Sequence, residues 1–156
     1  MNNNFDKLKK FWKGKKVFIT GHTGFKGSWL SLMLSLLGAK VYGYSLKPNK
    51  KQNVFDILKI KKKISSSTIG DIRDYSKLKK KIITSSPDFI VHMAAQPLVI
   101  ESYNNPKYTY EVNINGTLNL LNVLNETQLI KLASKEKAQF EEEMRELFQK
   151  KQMSRV

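Results

Sequence analysis

The chain has 156 residues, 40% of them apolar, with 28 basic against 13 acidic side chains, a formal charge of +15, and no cysteine. That length and composition give one globular domain with a real core, neither disordered nor fibrous. Without cysteine there are no disulfides or thiolate metal sites, which points to a reducing cytoplasm, and no stretch has the ~18 apolar residues of a membrane span or the pattern of a signal peptide. The basic charge is almost all lysine, with Arg73, Arg145 and Arg155 the exceptions. Arginine is the side chain that base and phosphate recognition prefers, and the lysines fall on expected helix surfaces and loops. They are read as a solvated face, and no specific nucleic-acid partner is expected.

In chain order, KKVFIT (15–20) is a buried strand closed by Gly21. From Lys26, the residues Trp29, Leu30, Met33, Leu34, Leu36 and Leu37 recur at helical spacing until Gly38 stops them. KVYGYSL (40–46) is a second strand, followed by a polar linker with a short amphipathic piece around Val54 to Leu58. SSSTIGD (65–71) is a third strand closed by an acid, and DYSKLKKKIITSS (74–86) a helix with Leu78 and Ile82 inward, ended by Pro87. DFIVHMAA (88–95) is a fourth strand and 108–125 a long helix. Strands alternating with helices, without a hairpin signal or an internal repeat, predict right-handed βαβ units. The expectation is an α/β, Rossmann-like parallel sheet with helices on both faces, about four strands long. This domain covers 1–128, and a helical tail of different character, with Glu and Lys at i,i+4, covers 129–156.

Gly21, Gly24 and Gly27 lie between a strand and an apolar helix, three residues apart. In that setting the first glycine permits a tight turn, the second lets a diphosphate approach the backbone, and the third lets helix and strand pack closely. Helix amides and the positive end of the dipole then face the anion. Glycines also close plain strand-to-helix turns, so the motif needs company.

The company is GDIRD, HMAAQPLV and NINGT, in that order along the chain. With TGHTGFKG these patches resemble the extended short-chain dehydrogenase/reductase superfamily. FWKGKKVFITGHTGFKGSWLSL, GYSLKP, IGDIRD and HMAAQPLVIESY together resemble its CDP-glucose 4,6-dehydratases, over about residues 11–127. The resemblance implies a cytoplasmic lyase with a tightly held NAD, converting CDP-glucose to CDP-4-keto-6-deoxyglucose for deoxysugar and polysaccharide biosynthesis. Motif and resemblance together place the cofactor on Gly21, His22, Thr23, Gly24, Phe25, Lys26 and Gly27, on Ser45, on Asp71 and Ile72, and on Ala94, Ala95 and Gln96. Asp71 would hold the adenine amino group.

The residues leave several alternatives open. Where a dinucleotide binder has a ribose-binding acid, this chain has Ser45 with Lys47 behind it, so NADP stands beside NAD. His92 reads as a satisfied core histidine, a catalyst or a cofactor neighbour, Asp71 as an adenine contact or a helix cap, a role that Asp74 suits better, and Asn113 as a brace for its helix. No metal-like spacing links His22 and His92. The superfamily's chemistry needs a tyrosine and a lysine four apart on a helix after a fifth strand. Here Tyr75/Lys79 precede the fourth strand and Tyr103/Lys107 enclose Pro106, which breaks the helix that would align them. The chain is therefore expected to be inactive alone. The open edge of the fourth strand invites pairing or aggregation unless the tail or a partner covers it; a homo-oligomer or a completing partner chain is the alternative reading, and a basic nucleic-acid binder the remote one.

Overall fold

A computed structural model describes residues 2–48 and 53–128. Four strands, β1 (Lys16–Thr20), β2 (Lys40–Ser45), β3 (Ser66–Ile69) and β4 (Phe89–His92), form one parallel sheet in the order β3-β2-β1-β4. β1 pairs on both sides and is buried from Val17 to Thr20, as a parallel strand covered on both faces must be.

Period-2 alternation gives each face its own helix. Val17, Ile19 and Val41 pack against Leu34 of α2 (Phe25–Leu36), with Leu30, Ala39, Ile64, Val91 and Met93 around them. On the other face Phe18 stacks with Tyr44, ring centroids 6.2 Å apart. There Lys81, Thr84 and Ser85 of α4 (Tyr75–Ser85) lie beside Phe18 and Tyr42. Burying each such Val, Ile or Phe contributes roughly 1.5–3 kcal/mol. Gly38 takes a left-handed φ of 87° just past α2, and Asp74 caps α4 by accepting from the Lys77 amide at 3.0 Å, both as expected. A short helix, α3 (Val54–Ile57), and a 3₁₀ turn (Ile60–Lys62) bury Phe55 and Ile60.

The structure departs from expectation in three places. A helix, α1 (Asn2–Trp12), precedes β1. It lacks an acid in its first turn, and its Phe11 and Trp12 rings pack with Phe89 at 5.9 and 5.2 Å, so tertiary contact rather than a local signal supports it. β4 stops at His92, and Met93 to Ala95 leave the ladder. The helix expected over 108–125 starts earlier, as α6 (Pro106–Tyr110), preceded by α5 (Val99–Asn104). Pro106 opens α6, where a proline loses nothing, and the Asn105 side chain caps it. Next comes a π turn (Glu111–Asn115), then a helical run from 116, which we call α7.

The chain divides into two compact units, 1–123 and 124–156. Within the second, residues 124–128 are described and helical; the tail expected over 129–156 lies outside the described residues. Among the described residues no helix is long and apolar enough to cross a membrane.

Candidate functional site

Register brings the expected site residues to one edge. Thr20 lies level with Tyr44 and His92, and Tyr44 level with Thr68, so all four strands finish together. Beyond those ends lie the glycine turn, Ser45, the loop at 71–73 and the loop at 93–96. β1 feeds neighbours on opposite sides, which makes its carboxyl end the switch point where ligands enter such sheets.

The three glycines differ in what requires them. Gly21 has φ 80°, and a Cβ there would meet the Met93 carbonyl and the Ala94 amide at 2.7–2.8 Å. A Cβ on Gly27 would land on the Gly21 carbonyl oxygen. Gly24 is different: its φ of −71° suits any residue, and a Cβ would make only ordinary contact, 3.4 Å from the Gly21 oxygen. Nothing among the described residues demands a glycine there. Gly24, Phe25 and Lys26 are exposed at the start of α2, whose first turn carries no side-chain cap at Gly24 and no acidic residue.

Behind the turn, one hydrogen-bond relay ties β1 to β4 and the helix. The Thr20 hydroxyl accepts from the Met93 and Ala94 amides at 3.1 and 3.2 Å and donates to His92 Nδ1 at 2.6 Å. His92 Nε2 then donates to Thr117 Oγ1 at 3.1 Å, and Thr117 donates to the Asn113 carbonyl at 2.7 Å. The amide donors at one end and the carbonyl at the other fix the tautomer. Burial holds His92 below its ordinary pKa, in the neutral form this relay needs. Both ring nitrogens of His92 are thus satisfied within the fold.

NINGT, residues 113–117, an N-x-x-G-T pattern, gains a physical meaning. Asn113 Oδ1 accepts from the Gln96 amide at 2.8 Å while its Nδ2 donates to the Gln96 carbonyl at 3.0 Å, clamping that residue's backbone on both sides. Gly116 admits Ile72, whose Cγ2 would be 2.5 Å from a Cβ, and Thr117 ends the relay. The Gln96 side chain is committed locally: it donates to the Leu98 carbonyl and to Thr109, and accepts from the Leu98 amide.

His22 and Ser45 turn inward. His22 is fully buried, its Nε2 paired with Ser67 Oγ at 2.7 Å and its ring edge-on to Phe55. It fills the space above Gly43, where any Cβ would strike the imidazole. Desolvation by this burial lowers its pKa to about 4, against a smaller opposing effect of the Tyr44 backbone. Thr23 Oγ1 donates to the Leu46 carbonyl and accepts from Ser45 Oγ, both at 2.8 Å. Both hydroxyls therefore pin the turn to the end of β2. In His22, Thr23 and Ser45 it is the backbone, held in place, that the turn presents.

The third-strand loop is held from several sides. Tyr44 Oη donates to the Asp71 carbonyl at 2.8 Å, and Gly70 leaves room for the tyrosine ring. Burial, then the charges of Asp74 and Asp71, push the Tyr44 phenol up to about 12. Asn119 Nδ2 donates to the Ile72 and Arg73 carbonyls at 3.2 and 3.1 Å. Asp71 lines an open cleft of about 730 Å³ with Arg73, Glu111, Asn115 and Leu118. Hydrogen bonds from Arg73 hold its carboxyl below the usual range. Asp74, not Asp71, caps the helix.

Sequence reasoning missed Thr20, Gly43, Tyr44, Ser67 and Arg73, because their partners lie far away in the chain or depend on strand order. Among the described residues no cluster of His, Asp and Glu is arranged to hold a metal. Tyr103 and Lys107 fall on two different helices, and Lys79 sits over the Tyr75 ring within α4.

The strand order, its switch point and the glycine turn define a dinucleotide-fold domain. The chain belongs to the GDP-mannose 4,6 dehydratase family, whose model matches residues 18–140. It is 49% identical over 123 residues to a CDP-glucose 4,6-dehydratase of Salmonella typhimurium, covering 79% of this chain and 34% of that protein. It is 34% identical over 115 residues to a GDP-mannose 4,6-dehydratase of Vibrio cholerae, covering 70% and 31%. Among solved structures, UDP-glucose 4-epimerase from Brucella ovis in complex with NAD superposes with a TM-score of 0.62 and 26% identity, over 74% of this chain and 33% of that one. The NAD complex of the Thermus thermophilus UDP-glucose 4-epimerase gives 0.62 and 28%, over 71% and 34%. The chain thus spans about a third of the length of these relatives.

Proposed function

We propose that this chain is the dinucleotide-binding portion of a nucleotide-sugar dehydratase acting on CDP-glucose, and that its cofactor is NAD. The observation that carries the reading is Gly24: an uncapped helix start with a glycine that the fold itself does not need leaves space for a diphosphate against the backbone. Around it, Gly21, Thr23, Phe25, Lys26 and Gly27 form the phosphate turn, and Ser45 stands at the ribose end. Asp71 and Ile72 face the adenine. Ala94, Ala95 and Gln96 offer a small, clamped backbone beside Gly21, with His22 as a peg under the turn. Bound NAD supplies a hydride acceptor for sugar oxidation; what these residues do is bind it, orient it and fix its adenine end. The end of β2 offers no acid to the ribose, which leaves NADP as a competitor.

The test is a calorimetric titration of the whole folded chain with NAD and with NADP. Saturable uptake of NAD near one per chain is expected, and no uptake of either would overturn the reading. The sequence offers no well-placed tyrosine–lysine pair, so the chain alone is expected not to turn over CDP-glucose; turnover would contradict that part.

A second reading keeps the same site but makes the chain a module completed by another polypeptide. It is favoured by β4, an edge strand among the described residues, flanked by exposed Leu98, Val99, Ile100 and Tyr103. A monodisperse folded monomer in sedimentation, with no co-purifying chain, would sink it.

A further inference from the structure

We propose that the amino edge of the sheet is a docking surface for an anionic lipid bilayer, with α1 resting in the interface and the dinucleotide edge turned away from it. This concerns the opposite end of the strands from the glycine turn and stands apart from the reading above.

α1 is amphipathic in a way the domain does not use up. Phe5, Leu8 and Phe11 recur every three residues along one side, and each is about half exposed, at 57, 49 and 51%. Trp12 is the ring that the domain takes in: it packs with Phe89 and against the core cluster of Val17, Ile19, Leu34 and Val41. An apolar helical stripe normally faces a core, and this one is covered mainly at its carboxyl end. Lys10 and Lys13 stand on the opposite side. A helix with Phe and Leu on one side and Lys on the other is the form that lies in a lipid interface.

The backbone gathers further lysines at the same edge. The Gly14 amide donates to the Gly38 carbonyl and the Lys40 amide to the Lys15 carbonyl, both at 2.8 Å, so the turn after α1 lies against the turn after α2. Ser35, in the last turn of α2, donates to the Lys63 carbonyl, which brings the segment before β3 alongside. Lys10, Lys13, Lys15, Lys40 and Lys63 are all exposed there, and Leu36, 68% exposed, ends α2 beside them. Two acids stand nearby: Asp6 on α1, and Asp88, whose carboxylate accepts from the Lys16 amide at 2.8 Å.

Neither half of this surface would suffice alone. Near an anionic bilayer a lysine is worth about fivefold in binding, an attraction that fades beyond ~8 Å at physiological salt. Lysines by themselves do not tell lipid from another polyanion, and apolar side chains by themselves do not prefer anionic lipid. Binding of an interfacial helix scales with buried apolar area plus attraction to anionic headgroups, and this edge supplies both. A nucleic acid would engage the charge, but Leu8 and Leu36 offer nothing to a phosphate backbone. Strands of four to six residues, roughly 13–20 Å, separate this edge from the glycine turn, so a docked chain keeps its dinucleotide site open to water.

The experiment is co-sedimentation of the whole chain with vesicles of phosphatidylcholine, alone or with about one third phosphatidylserine, at about 0.1 and 0.5 M salt. The wild type is compared with Phe5→Ser/Leu8→Ser and with Lys10→Gln/Lys13→Gln/Lys40→Gln, while melting curves and the NAD titration follow the fold and the dinucleotide seat. The wild type is expected to prefer the anionic vesicles by at least ~10-fold and to release them at the higher salt; each variant should lose at least ~10-fold in affinity with melting and NAD uptake unchanged. Should the serine variant melt early, Phe5→Trp takes its place: a blue shift of the added fluorescence on anionic vesicles is expected, and no shift overturns the proposal. Absence of vesicle binding, or equal binding to both compositions, overturns it as well. So does anionic binding that survives Phe5→Ser/Leu8→Ser undiminished, or uptake of polyuridylate tighter than that of vesicles, which would make the occupant a nucleic acid. Self-association in sedimentation velocity that the serine variant abolishes, without vesicle uptake, would assign the apolar side to a second copy and overturn it too. None of these outcomes depends on whether the chain takes NAD.

Discussion

The two sides of β1 are finished differently. Towards β2 and β3, the strand ends are tied to one another and to the turn: His22 with Ser67, Thr23 with Ser45, Tyr44 with the Asp71 carbonyl. Towards β4 the sheet is still tied, through the Thr20 relay, but its surface is not closed. Phe89 is 37% exposed where its partner Val17 in β1 is fully buried, and the segments that follow present Leu98, Val99, Ile100 and Tyr103 to solvent. The contrast is that the glycine turn and the third-strand loop are tied together from within these residues, whereas the β4 side displays exposed apolar surface.

The largest expected effect comes from the turn. Gly21→Ala adds a Cβ in a left-handed conformation and against the 93–94 peptide, which should cost about 3–5 kcal/mol from conformational strain plus overpacking. Chemical denaturation would check it; a loss under ~1 kcal/mol would mean that the two loops are not locked together.

Next is a pH effect on the finished side. His22 is held near a pKa of about 4, against 6.5 when free. Between those values the unfolded chain binds the proton and the folded chain does not, so stability is full above pH 6.5 and falls as pH drops towards 4. The fall is on the order of 3 kcal/mol, and His92, also held neutral by burial, adds in the same direction. Denaturation midpoints across about pH 4–7 for the wild type and His22→Asn should show a shallower slope in the variant; equal slopes would remove His22 as the source.

The β4 side should respond less. Thr20→Val strands the Ala94 amide and the His92 ring and should cost about 2 kcal/mol, the loss expected for buried hydrogen-bonding groups left unpaired. Its mark would be a shifted His92 imidazole signal in NMR, and an unmoved signal would argue against the relay. Asp74→Ala, at the rim of the Asp71 cleft, removes the cap of α4 and should cost about 1 kcal/mol, read as a small drop in melting temperature.

How much of this was legible in the sequence follows from distance along the chain. Gly21, Gly24, Gly27, Gly38 and Asp74 carry local signals, because a turn, a cap or a helix stop is decided within a few residues. N-x-x-G-T was legible as a pattern, but its work was not: Asn113 acts on Gln96, Gly116 on Ile72, and Thr117 on His92, and these pairings need the topology. The same holds for His22 with Ser67, 45 residues apart, and Thr20 with His92, 72 apart. α1 escaped because its first turn has no acid, and the π turn because 3.6-residue periodicity barely changes across it.

The most direct test of the account is Gly24→Ala. At φ −71° an alanine fits, and the gain in chain stiffness roughly offsets the weaker helix start, so denaturation should match the wild type within ~0.5 kcal/mol. NAD affinity, measured by titration of the same sample, should fall by at least ~10-fold, because the methyl occupies the space kept for the diphosphate. Unchanged folding with unchanged NAD affinity would contradict the account.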